Sequence, residues 1–163
     1  MSIIDNVYYT TIIHDIQEII PSEITKSNDI ESILLDKIKN KLGNRCSKEG
    51  YIKKESIKII DRSIGKIISS HLNGNIVYNL KLEVDICKPL EGNVFECKVL
   101  GLNKMGIMCK KEPMLIALSK IYHDDCIDLF NKIKIDDIIK IEVIASRYEF
   151  NDNEINVIGK LKI

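Results

Sequence analysis

Isoleucine fills 33 of the 163 positions, and a side chain branched at Cβ is stiff about χ1 and suits a pleated, half-buried surface better than a helix. Lys and Asn are also abundant and Trp is absent, a usage that points to an AT-rich coding genome rather than to an activity. Charged or polar residues break every isoleucine run well short of the roughly 18 to 20 apolar residues of a membrane span. The start, Met1-Ser2-Ile3-Ile4-Asp5, has no basic stretch leading into an apolar one, so an intracellular address is expected. With 45% hydrophobic and 29% charged residues the profile is globular, sized for one or two small domains.

Val7 to Ile13 reads as a first strand, and Pro21 ends the apolar run that follows it. The period then changes. Ile30, Ile33, Leu34, Ile38 and Leu42 recur at spacings of three and four, with a cap region at Ser27 and a closing Gly43, which predicts one amphipathic helix. Beyond Gly43 the pattern is β, with strands expected over residues 45–52, 56–61, 65–69, 76–86, 93–102, 106–110, 114–117, 138–148 and 154–163. Turns fall at Asn73-Gly74-Asn75, Glu91-Gly92-Asn93 and Asn151-Asp152-Asn153. Pro89 cannot donate to a ladder, so a boundary is placed at Cys87-Lys88-Pro89. This makes an α+β chain of two domains, 1–87 and 88–163. The second holds five strands and one excursion over residues 120–134, the count of an oligonucleotide-binding (OB) barrel.

Catalysis needs a nucleophile beside a base, paired carboxylates or a metal cluster. His123-Asp124-Asp125 with Cys126 is the nearest approach and reads better as a solvated acidic turn. Asp136-Asp137 reads as a soluble strand end. The glycines make no phosphate-binding loop. The five cysteines are odd in number, scattered and without a CxxC pair, so reduced thiols are expected rather than a zinc site or a disulfide framework. No catalytic residue, metal or cofactor is assigned.

A binding face is easier to place. Twenty-four basic against 24 acidic side chains leave no net charge, so a nucleic-acid contact has to be a local patch. In an OB barrel that patch lies on the second and third strands and their flanking loops. Lys104, Lys110, Lys111 and Lys120 fall there, with Arg147 and Tyr148 on a neighbouring strand end.

Lys88-Pro89-Leu90-Glu91-Gly92-Asn93-Val94, then Val99-Leu100-Gly101-Leu102-Asn103-Lys104-Met105-Gly106-Ile107 and Glu112-Pro113-Met114, resemble the stalk subunit of RNA polymerase. That family comprises the seventh-largest subunit of eukaryotic RNA polymerase II and its archaeal counterpart. Residues 138–147, the Asn151-Asp152 turn and Ile158-Gly159-Lys160-Leu161 are similar to its last hairpin. Ile13-His14-Asp15-Ile16, Gly50-Tyr51-Ile52 and Ile64-Gly65-Lys66-Ile67-Ile68 follow collinearly. Met108 stands where the family carries an aromatic, and Ala117-Leu118-Ser119-Lys120-Ile121 where it carries an aromatic and a histidine.

The resemblance implies a truncated ribonucleoprotein-like tip domain and an S-one-like OB barrel. It implies docking of Ile64, Gly65 and Ile67 beside the clamp of the largest polymerase subunits. It also implies weak contact of the barrel with nascent single-stranded RNA through Lys104, Lys110, Lys120, Arg147 and Tyr148, and room for a companion stalk subunit. Gly65 is expected at positive φ in the tip turn. Divergence and composition together suggest a virus-encoded polymerase, placing the chain in host cytoplasm and virion, or in the nucleus if it is cellular. A free-standing OB-fold RNA-binding protein of translation or RNA decay is the second reading.

Overall fold

The computed structural model describes residues 7–26, 29–68 and 72–163. Two compact units emerge: residues 9–44 with 52–86, and residues 7–8 and 45–51 with 87–163. A plain division at residue 87 does not capture this, because Arg45–Tyr51 clusters with the barrel. The cause is local. Cys46 N–H donates to the Asp152 carbonyl at 2.8 Å, and Asn151 N–H donates back to the Cys46 carbonyl at 2.9 Å.

In the first unit, β1 (Tyr8–Ile19) and β6 (Ile76–Cys87) are neighbours. β4 (Lys58–Arg62) and β5 (Lys66–Ile67) pair antiparallel with β6. β1 runs six residues past its expected end at Ile13, because the alternation continues through Asp15, Gln17 and Ile19 toward the packed side. Pro21 opens a one-turn helix, α1 (Pro21–Ile24). The longer α2 spans Ile30–Leu42. Its cap is Asp29, whose side chain accepts from Glu31 N–H, not Ser27, which lies outside the described residues. Leu34 and Ile38 of α2 are fully buried with Ile19, Ile52, Leu80, Leu82 and Ile86. Lys41 on the same helix donates to the Asp15 carboxylate at 2.8 Å.

The expected single strand over residues 45–52 is instead a hairpin, β2 (Arg45–Ser47) and β3 (Gly50–Ile52). The helical share is also smaller than an α+β assignment implies. Among the described residues α2 is joined by α1, the one-turn α3 (Ile127–Phe130) and short 3-10 turns, so the fold is mostly β. Among the described residues no helix is long and apolar enough to cross a membrane.

The second unit is a closed barrel of β7 (Val94–Asn103), β8 (Gly106–Lys111), β9 (Met114–Ser119), β10 (Ile138–Arg147) and β11 (Ile155–Leu161). The closed order is β7-β8-β9-β11-β10, with β9 and β11 parallel and the other pairs antiparallel. That Greek-key closure is the OB arrangement. Strict alternation fills the interior: Val99, Cys109, Ile116, Ile141 and Ile155 show no exposed surface.

The excursion between β9 and β10 contains 3-10 turns and α3, and one side chain fastens it. His123, expected in a solvated turn, is 1% exposed. Its Nδ1 lies 2.6 Å from the Ser119 carbonyl and its Nε2 accepts from Leu161 N–H at 2.7 Å. A carbonyl only accepts, so Nδ1 carries the proton and Nε2 is free to accept. Phe130 packs on the ring at 4.5 Å between centroids.

Candidate nucleic-acid interface and apolar tip

The barrel's outer face can be read off the strand registers. Met108 lies opposite Ala117, Ala117 opposite Ile158, and Ile158 opposite Ala145. One row further along, Lys110 lies opposite Leu115, Leu115 opposite Asn156, and Asn156 opposite Arg147. Side chains alternate across a strand, so each row shares the outer face. The two alanines are short, and an open groove of about 280 Å³ forms over them, edged by Met108, Leu115, Ile158 and Arg147.

The sequence-predicted cations do not form one patch. Lys110 and Arg147 end the polar row, on β8 and β10, with Leu115 and Asn156 between them. Lys104 sits in the β7–β8 turn, where Asn103 Oδ1 accepts from Met105 and Gly106 N–H at 2.9 Å each. Lys120 joins that end of the barrel, since its N–H donates to the Met105 carbonyl. Two cation pairs therefore flank an apolar row. Lys110 meets Glu112 at 3.2 Å and Arg147 meets Glu149 at 3.0 Å. Exposed pairs of this kind hold by about 1 kcal/mol or less and exchange readily. Lys111 lies over the Phe95 ring.

Tyr148 is half-buried and packs against the barrel core, so its ring is not a free platform. The aromatic that the reading of the sequence missed is Phe150, 65% exposed in the β10–β11 turn. The signal was present in the run Arg147-Tyr148-Glu149-Phe150: alternation turns Tyr148 inward, and the turn that follows frees Phe150.

In the other unit the residues around β5 expose apolar side chains. Ile64 is 86% and Ile67 67% exposed, with Ile60 and Leu72 also open to solvent. Gly65 departs from the expected positive φ, which the structure records at Gly50, Gly74 and Gly92. Its requirement is space: a Cβ there would stand 2.6 Å from Ile76 Cγ2 and 2.8 Å from the Tyr78 ring.

Among the described residues no group of three or more His, Cys, Asp or Glu side chains could hold a metal ion, and all five thiols are free. Burial pushes Cys87 up to about 12 and Cys46 up to about 11. Cys97 is raised by the hydrogen bond it shares with Cys109 and by burial. A thiol with pKa near 12 is ionised only about one part in ten thousand at pH 8, and the thiolate is the nucleophile. Alkylation at pH 8 is therefore expected to modify Cys126, the most exposed of the five, while Cys46 and Cys87 react at least about tenfold more slowly. Peptide mass mapping over time checks this.

No protein-family model matches the chain. Over an alignment of 169 positions it is 24% identical to the "Putative DNA-directed RNA polymerase subunit L376" of Acanthamoeba polyphaga mimivirus, covering 96% of this chain and 82% of that protein. This is a distant relationship that extends over nearly the whole sequence. Among solved structures, GSP13 from Bacillus subtilis is similar at 19% identity and a TM-score of 0.38, over 45% of this chain and 56% of that one. The chain thus spans about half the length of GSP13.

Proposed function

We propose that this chain is a non-catalytic subunit of a virus-encoded, multisubunit DNA-directed RNA polymerase. In this reading it acts as a stalk: its tip docks beside the clamp of the largest subunits and its barrel guides nascent RNA. The observation that carries the reading is the collinear relationship to the mimivirus protein across 96% of the chain. Supporting it, Ile64 and Ile67 expose apolar side chains that a monomer gains nothing by presenting to water. The Lys104, Lys120, Lys110 and Arg147 pairs, with Phe150 near Arg147, suit a weak and sequence-tolerant hold on single-stranded RNA, because stacking and phosphate contact need no base-edge readout.

The test is affinity purification of the tagged chain from infected cells with a moderately high-salt wash, followed by mass spectrometry. Salt screens surface charge and spares apolar docking, so the two largest polymerase subunits are expected in near-equal amounts. RNA or ribosomal proteins without polymerase would replace this reading with a free-standing OB-fold RNA-binding protein. Replacing both Ile64 and Ile67 by Asp is expected to lower polymerase recovery about tenfold or more, since a charge cannot enter an apolar contact unpaired. Charge reversal at Lys104, Lys110 and Lys120 should leave recovery unchanged. It should weaken cross-linking to RNA at least about fivefold, as should Phe150→Ala. Loss of the subunit from polymerase in the charge-reversal variant would refute this division of labour.

A further inference from the structure

We propose that the outer surface of the segment between β9 and β10 docks a cationic, amphipathic segment of a partner protein. The segment is a built platform: His123 and Phe130 face inward and stack, and His123 is bonded to Ser119 and Leu161. With the inner side fixed, Ile121 is left 79%, Tyr122 55% and Leu129 46% exposed. Between them stand the exposed carboxylates Asp124, Asp125 and Asp128. Rigid display of apolar side chains marks a surface for protein contact rather than an unfinished core.

Charge selects the occupant. Residues 121–129 carry three carboxylates and no Lys or Arg. Lys120 and Lys132 bracket them, two cations against three anions. Lys160 and Lys162, on either side of the bonded Leu161, are both engaged by Glu142. Among the described residues none of the three carboxylates has an ion-pair partner. The carboxylates of residues 121–129 favour a cationic over an anionic occupant there, while Lys120 at the edge belongs with Lys104 at the end of the barrel. The carboxylates also repel their own copy, which argues against a symmetric pair. A helix or strand with Lys or Arg beside aliphatic side chains satisfies both halves of the pattern.

The test uses the full chain and two synthetic probes, an amphipathic leucine–lysine peptide and its leucine–glutamate counterpart, with binding followed by fluorescence anisotropy. The lysine peptide is expected to bind, more weakly as salt rises, and the glutamate peptide not to bind. Asp124→Asn, Asp125→Asn and Asp128→Asn together should weaken binding about tenfold or more, and Ile121→Ser with Leu129→Ser likewise. The matched control Asp36→Asn, Glu49→Gln and Glu91→Gln removes the same charge elsewhere and should change it less than about twofold. Amide chemical-shift mapping on the unaltered chain gives a readout independent of any variant, with perturbations expected in residues 120–132. Equal weakening by the control, binding of the glutamate peptide, no binding at all, or perturbations centred elsewhere would each overturn the proposal.

Discussion

Gly106→Ala is expected to cost about 3 kcal/mol or more, the upper end of what overpacking a rigid site costs. Gly106 opens β8 opposite Ser119 of β9, and a Cβ there would drive into the carbonyl oxygen of Leu118, with Ser119 Cα 3.2 Å away. These neighbours are backbone atoms of a paired strand and cannot rotate aside as a side chain can. Relief requires β8 and β9 to part, and the barrel closes through that pair. The measurement is the urea midpoint against Gly101→Ala, where a Cβ meets nothing within 4 Å. Equal midpoints would show that the strands adjust freely.

His123→Ala is expected to cost about 3 kcal/mol for a different reason. It leaves the Ser119 carbonyl and the Leu161 N–H without their partner, and an unsatisfied buried group costs about 1 to 3 kcal/mol. It also opens a void against Phe130. His123→Phe separates the contributions, because it restores ring packing and neither hydrogen bond. Thermal unfolding of both variants should show the Phe variant recovering part of the loss. Full recovery would mean that the two bonds contribute nothing net.

The barrel was legible because its strands alternate cleanly. Val99, Ile107, Cys109, Ile116, Leu118, Ile141 and Val143 are spaced by two within their strands and all turn inward. His123 was not legible. Its role depends on Leu161, 38 positions away, and a buried acceptor looks the same in sequence as a solvated one beside two aspartates. The split of residues 45–52 into a hairpin was hidden because Ser47, Lys48 and Glu49 carry no strong turn signal. The cap at Asp29 escaped because Ser27, two positions earlier, has the same chemistry. Of the interface, the cations could be named from the sequence, but their separation into two pairs follows from barrel registers that no local pattern encodes. Tyr148 was chosen for its chemistry, while strand parity gives the exposed position to Phe150.

The backbone bonds between Cys46 and the residue pair Asn151-Asp152 have a consequence for the order in which the protein is made. Every residue of the first unit has been joined once Ile86 is added, so that unit can close early. Cys46 lies in the middle of this stretch, yet its backbone finds these two partners more than a hundred residues later. During synthesis its N–H and carbonyl wait for the β10–β11 turn to emerge. Arrival of that turn, rather than completion of the first unit, is the moment at which the Cys46 backbone is satisfied.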